Sequence, residues 1–206
     1  MSGLPRTHGP WTITSSGVVY ADPWIHLRLD QVIRPDGHPG THTVTAIKPG
    51  VCVIAEDDHG DVILTREFHY AVGRVTLEGV SGGCDGDEPP EEAARRELAE
   101  ELGLVAGELI PLGLCDPFTA MVVSPTHLFA ARRLVAGTAR PEGTERIEAV
   151  RMPLESAVEQ VMASGITHGP TCVAILKWWR IRSATRDGGT SPTEGQTSFG
   201  CAASGD

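Results

Sequence analysis

Glu97, Glu100 and Glu101 are the residues with the clearest capacity for chemistry in this sequence. On an α-helix, steps of three and four residues return to one face, so the three carboxylates project together. Like charges this close repel and weaken an isolated helix. A hard divalent cation that takes oxygen ligands relieves the repulsion, which points to Mg²⁺, with Mn²⁺ as a substitute. Such a cation neutralises anionic oxygens and lowers the pKa of a bound water. An acidic run on a helix is ordinarily a solvated face. What separates this one is the company around it, Gly82, Glu88, Arg96, Gly103 and Leu104 at set distances.

The elements that position these residues are also legible. A helix is expected from about Pro89 to just before Gly103, with Asp87 or Glu88 as its cap, prolines in the first turn and glycine at the exit. Ala94, Leu98 and Leu102, at i+4 spacing, would seat its other face on a core sheet and hold the carboxylates rigidly. Gly82 and Gly83 allow the preceding loop to come close, so the backbone carbonyl of Ser81 can join Glu97, Glu100 and Glu101 at the metal. Arg96 can pair with Glu88, Glu92 or Glu100 and orient the array.

Before this helix the text reads as strands: Trp11–Thr14, Gly17–Tyr20, Ile25–Ile33, His42–Ile47, Val51–Ala55 and Val62–Thr65. Pro35-Asp36-Gly37 is a turn, and Asp57 to Asp61 closes a hairpin. After it come strands near Leu109–Leu114, His127–Ala131 and Ile147–Met152, then helices over Leu154–Ala163 and about Thr171–Arg182. This order is that of an α/β (α+β) chain with a small N-terminal antiparallel sheet. Residues 1–48 are expected to form that element, 49–183 the catalytic domain, and 184–206, rich in Ser, Thr, Gly and Ala, a disordered tail.

At 206 residues there is room for one catalytic unit and an appended element. A formal charge of −10 argues against non-specific nucleic-acid binding, which needs clustered Lys and Arg. Free polyphosphate substrates would need a cation as escort to so acidic a protein. The five cysteines show no C-x-x-C pair, so neither a zinc site nor a disulfide framework is indicated, and a reducing, cytoplasmic setting is the expectation. No apolar run is long enough to span a bilayer, so no membrane partner is expected.

Taken whole, Gly82 to Leu104 fits G-x5-E-x7-R-E-U-x-E-E-x-G-U at every fixed position, and on that ground the chain resembles the Nudix hydrolases. The resemblance implies the Nudix fold, an α/β/α sandwich around a mixed sheet, and Mg²⁺-dependent hydrolysis of a diphosphate linkage. Over roughly Trp11 to Arg182 the chain is similar to the ADP-ribose pyrophosphatase branch. The features are Arg66-Glu-Phe-His-Tyr70 leading into Val72-Gly-Arg74, Glu78 four residues before Gly82, and Glu142-Gly-Thr-Glu145-Arg-Ile-Glu148. That branch implies a homodimer that exchanges its N-terminal sheet, ADP-ribose as substrate, and AMP and ribose 5-phosphate as products. It places substrate contacts at Arg66, Arg74 and Glu78, with an ion pair as the other reading of Arg74. It also implies a mobile acidic residue that activates water or completes the metal site, Glu145 first and Glu142 second.

The departures bear on substrate. The branch carries Arg-Gln-Tyr-Arg where this chain has Glu67 and His69 at the second and fourth positions, which removes one anion contact. Glu78-Gly-Val-Ser-Gly82 matches the branch's Glu-Leu-Pro-Ala-Gly only at its ends, and Pro117 and Pro125 fall to either side of the place where a proline is expected. GDP-mannose, NADH and dinucleoside polyphosphates therefore stay open as alternatives. A non-catalytic Nudix ligand sensor is the rival from another class, set back by the intact motif and the acidic balance. His127 and His168 receive no role, since a lone histidine beside apolar residues is ordinarily packed or capping. Trp178 and Trp179 read as core or dimer packing.

Overall fold

The computed structural model describes residues 3–139 and 146–186. Along them run β1 (Arg6–His8), β2 (Trp11–Ala21), β3 (Ile25–Ile33), β4 (Pro39–Ile47), β5 (Gly50–Glu56), β6 (Asp61–His69), β7 (Arg74–Glu78) and β8 (Val80–Gly83). Then follow α1 (Pro90–Leu102), β9 (Leu104–Cys115), β10 (Val122–Val123), β11 (Thr126–Ala136), β12 (Glu148–Pro153), α2 (Leu154–Met162) and α3 (Gly169–Arg186). Two compact units result, one from the residues up to Ile47 with Phe118–Val123, the other from Lys48–Pro117 with Ser124–Arg186. Among the described residues no helix is long and apolar enough to cross a membrane.

The first unit is a five-stranded sheet in the order β1-β2-β3-β4-β10. Its first four strands pair antiparallel, and β10 lies parallel to β4. The two segments Trp11–Thr14 and Gly17–Tyr20 prove to be one strand, because register shifts between Ile13 and Ser15 and between Val18 and Tyr20 absorb the break in alternation. The β3–β4 turn is set by Asp36, whose carboxylate accepts the His38 N–H at 3.0 Å, and by Gly37 at φ 82°. Asp30, only 2% exposed, is satisfied by Ser16 at 2.5 Å and Arg28 at 3.2 Å.

In the second unit the chemistry of each strand is read from which side its residues face. Cys52 and Ile54 of β5 join one core cluster and Val51, Val53 and Ala55 the other. Val62 and Leu64 of β6 face the first and Ile63 the second, and β11 divides in the same way between Leu128, Ala130 and Phe129, Ala131. Both faces of these strands are therefore buried, which is why their sequence is an unbroken apolar run. The sheet runs β12-β6-β5-β11-β9, with β7 on β6 and β8 on β5. It is mixed, since β5 and β11 are parallel while β9 and β12 pair antiparallel. Leu154, Ala157, Ala174, Ile175 and Trp178 from α2 and α3 fill one cluster, and Ala93, Ala94 and Leu98 from α1 fill the other. The result is the α/β/α sandwich.

Several boundaries differ from those read in the sequence. Strands β9 and β11 extend to Leu104–Cys115 and Thr126–Ala136 because they pair with each other over nearly their whole length. Helix α3 continues through Ala184 to Arg186, so the first residues assigned to a disordered tail are helical, and 187–206 lie outside the described residues. Strands β1, β7, β8 and β10 were not anticipated. Helix α1 is capped by Pro89, with no side-chain bond, rather than by Asp87 or Glu88. The reason is that Glu88 turns back to the Asp85 N–H at 3.1 Å and to Arg96. At the other end Gly103, φ 62°, takes the left-handed conformation and donates to the Ala99 carbonyl at 3.0 Å.

Candidate active site

Helix α1 leaves the sheet with Leu98 fully buried and turns its acidic face to the β8 backbone. Arg96 organises that face. Its Nε donates to Glu88 Oε1 at 3.0 Å and its Nη2 to Glu88 Oε2 at 2.9 Å, a bidentate pair. Nη1 donates to Glu97 Oε1 at 2.7 Å and Glu100 Oε2 at 3.1 Å, and Nη2 also reaches the Gly83 carbonyl at 2.9 Å. Glu97 is thus an unforeseen partner of Arg96, and Glu92 is not among its bonds. The guanidinium draws the Glu88 carboxyl below its usual range, and the carboxylates raise Arg96 in turn. Asp85 is lowered by Lys48, whose Nζ lies 2.9 Å from Oδ1. One positive charge shared by Glu88, Glu97 and Glu100 leaves those four groups net negative.

The strand side of the site requires glycine. A Cβ built on Gly82 would lie 2.0 Å from Glu97 Oε1, so the carboxylate occupies the space a side chain would take. Glu101 is anchored beside it, its Oε1 accepting the Ser81 N–H at 3.3 Å. Ser81 Oγ donates to the Gly79 carbonyl at 2.7 Å. The donor set of Glu97, Glu100, Glu101 and backbone oxygen is all hard oxygen, and the cradle at Gly82 admits a carboxylate against the main chain, so the residues fit a hard divalent cation. As the side chains stand, no three of His, Cys, Asp or Glu among the described residues are gathered to hold one.

The residues expected to meet substrate are dispersed over the neighbouring strands. Arg66 donates through Nη1 to both oxygens of Glu148, at 3.2 and 3.3 Å, across the β6–β12 pair where the two stand in register. Arg74 donates to Thr167 Oγ1 at 2.9 Å. Glu78 accepts from Thr76 at 2.6 Å and stands beside two histidines, with His69 Nε2 at 3.3 Å and His168 Nδ1 at 3.1 Å. Glu142 and Glu145 lie outside the described residues. The histidines went unassigned in the sequence because His168 is 90 positions from Glu78 and only the fold joins them.

Beneath this group Cys52 is fully buried on β5, and burial pushes its thiol up to about 11. The charges of Glu78 and Glu101 add to that rise. The four described cysteines, Cys52, Cys84, Cys115 and Cys172, are free thiols.

The family model described as NUDIX domain matches residues 46–168, and that described as nucleoside diphosphate sugar hydrolase N-terminal domain matches residues 11–45. The chain is 27% identical over 165 residues to an ADP-ribose pyrophosphatase of Bacillus subtilis, covering 76% of this chain and 86% of that protein. It is 29% identical over 168 residues to an ADP-ribose pyrophosphatase of Mycobacterium tuberculosis, covering 78% and 77%. It is also 28% identical over 169 residues to a CMP-5'-(N-acetyl-N-hydroxy-3-aminopropyl)phosphonate hydrolase of Streptomyces rubellomurinus, covering 81% of each. A crystal structure of an ADP compounds hydrolase shares the fold, with a TM-score of 0.75 at 20% identity, over 89% of this chain and 98% of that one.

Proposed function

The chain belongs to the Nudix family and is a hydrolase, and from that premise we propose that it cleaves the diphosphate linkage of a nucleoside diphosphate sugar, ADP-ribose first, giving AMP and ribose 5-phosphate. The observation that carries this reading is the Arg96 array against Gly82, which collects Glu88, Glu97 and Glu100 beside Glu101 on a rigid helix. Glu97, Glu100 and Glu101, with the Ser81 carbonyl, would hold Mg²⁺. When bound, that ion neutralises the charge developing on the diphosphate and acidifies the attacking water.

The chain's own residues do the rest. Arg96 holds Glu97 and Glu100 through one nitrogen, Nη1, which keeps both carboxylates on the same part of the helix face. Water bonds to one phosphorus as the bridging P–O bond breaks, the departing phosphate keeps the bridging oxygen, and a carboxylate takes the proton. Glu145 is assigned to that proton, with Glu142 second. Arg66, Arg74 and Glu78 are assigned to substrate.

A different nucleotide conjugate is the second reading, favoured by a specific departure. Arg66 is already paired with Glu148, and His69, where the ADP-ribose branch has arginine, is turned to Glu78. The cytoplasmic setting belongs to the proposal, supported by the free thiols. So does the homodimer, supported by the exposed Val18, Val19, Tyr20 and Trp24 of the N-terminal sheet region.

The test is a Mg²⁺-dependent hydrolysis screen across ADP-ribose, GDP-mannose, UDP-glucose, NADH and diadenosine polyphosphates, beside Glu101→Gln. Turnover of ADP-ribose above the others, abolished in the variant, is the expected result. Preference for a dinucleoside polyphosphate would overturn the sugar reading.

A further inference from the structure

Strand β8 is short, rich in glycine and paired on one side. It bonds to β5 and to no other strand among the described residues. Gly79, Gly82 and Gly83 lie in or beside it, and glycine loses more conformational freedom on ordering than any other residue. Yet the helix carboxylates depend on where β8 stands, since Glu101 Oε1 accepts the Ser81 N–H at 3.3 Å and Glu97 occupies the space beside Gly82. Local preference does not hold this segment in place, so tertiary contacts must.

Gly79 is where the backbone changes partners. Glu78 before it is in register with Thr65 of β6, and Val80 after it with Val53 of β5. Gly79 itself is buried hard against β5, where an added Cβ would stand 2.9 Å from the Val53 carbonyl oxygen and 2.9 Å from Ile54 Cδ1. Its N–H donates to Thr171 Oγ1 of α3 at 2.8 Å, and its carbonyl accepts Ser81 Oγ at 2.7 Å. A run of hydrogen bonds therefore leads from α3 through Gly79 and Ser81 to Glu101.

Thr171 is suited to anchor that run. It is fully buried, and Ala174 and Ile175, three and four residues further on, pack the same face of α3 into the core. Its β-branched side chain has few rotamers open to it. His168 Nδ1 lies 2.8 Å from the hydroxyl and Cys52 Sγ 3.6 Å, and whichever of them takes its hydrogen, the oxygen keeps a lone pair for Gly79. Without the hydroxyl, the buried Gly79 N–H would lose its acceptor.

We propose that Thr171 is a positioning residue for the metal site. Its hydroxyl fixes the Gly79 peptide and, through Ser81, sets where β8 stands against Glu97 and Glu101 of α1. This rests on the reading above of Glu97, Glu101 and the Ser81 carbonyl as ligands of Mg²⁺. A helix that supplies no ligand thus governs the placement of those that do.

The test is Mn²⁺ binding to the metal-free protein, followed by electron paramagnetic resonance, beside Mg²⁺-dependent hydrolysis of the substrate preferred in the screen above. Thr171→Val keeps the shape and removes the acceptor. It is expected to weaken Mn²⁺ binding about tenfold, as for loss of an outer partner of a metal site, and to lower kcat by a similar factor with KM unmoved. Thr171→Ser, which keeps the oxygen, is expected to restore both. Ile175→Val, on the same buried face, is expected to lower Tm and leave Mn²⁺ binding unchanged. Equal Mn²⁺ affinity in wild type and folded Thr171→Val, or an equal loss in Ile175→Val, overturns the proposal. Should Thr171→Val not fold, Ser81→Ala breaks the run at the Gly79 carbonyl, and unchanged Mn²⁺ affinity there overturns it. A wild type that neither binds Mn²⁺ nor hydrolyses a diphosphate overturns the parent reading, and this one with it.

Discussion

Gly82→Ala should separate activity from stability. Gly82 is not at positive φ, so alanine brings no backbone strain of that kind, and the conflict is confined to the Glu97 carboxylate 2.0 Å from the new Cβ. Ordinary contact begins at 3.4 Å, so Oε1 must retreat by about 1.4 Å, the difference of those two distances. The carboxylate is the end of a flexible side chain and can move. What it loses is the 2.7 Å bond from Arg96 Nη1, in a pair whose side chains are 30% and 13% exposed. A charge-assisted bond discounted for that solvent access is worth about 1–2 kcal/mol, a fall in Tm of roughly 3–6 °C for a domain of this size. Misplacement of a reacting group by 1 Å costs on the order of 10²-fold in rate. Differential scanning fluorimetry beside Mg²⁺-dependent diphosphate hydrolysis at saturating metal should therefore show a small Tm change and a rate loss of about 10² or more. An unchanged rate, or a Tm fall of tens of degrees with proportionate loss of activity, would refute the reasoning.

Arg96→Gln should destabilise at neutral pH by about 1–2 kcal/mol after solvent screening. Because Arg96 depresses the Glu88 carboxyl, the stability it supplies is present above the unfolded pKa and lost as pH falls through the folded value. Melts of wild type and variant should thus converge on acidification below the usual carboxylate range, and a constant gap would count against the linkage. Glu56, 1% exposed, accepts from Trp178 Nε1 at 2.6 Å and pairs with Arg182 at 3.1 Å. Replacing it with Gln sets an amide against those donors and should cost about 3 kcal/mol, seen as a Tm loss of roughly 6–12 °C. Cys52, buried with a thiol pKa of about 11, should resist iodoacetamide at neutral pH until the protein unfolds, and early labelling on mass-spectrometric mapping would contradict its placement.

The helix and its carboxylates were legible because their positions repeat at local spacings, and Gly82 because its need for space lies within the same motif. Strand β8 was not, since Gly79-Val-Ser-Gly-Gly83 has little intrinsic strand character and is held extended by pairing with β5 across the sheet. The cap of α1 was misread for a related reason. Glu88 carries an acidic side chain just before the helix, yet a guanidinium eight positions away engages it and leaves the helix end without a side-chain cap. Arg66 shows the limit for surface charge, because its partner Glu148 is fixed by the β6–β12 register and by nothing near it in sequence. The histidine pair on Glu78 is the sharpest case, with its parts carried by β6, β7 and the segment leading into α3.

Strand β10 makes the N-terminal sheet a discontinuous module. Val122–Val123 completes that sheet from a segment that begins and ends in the hydrolase unit, so the backbone passes between the units at Ile47, Pro117 and Val123. Cutting the chain at Ile47 therefore cannot excise the first unit. It would remove four strands and strand the fifth, turning Val122 and Val123 into an unpaired edge on the truncated remainder. A fusion or transplant of this element must carry two pieces of sequence, and the second piece lies between β9 and β11 of the hydrolase unit.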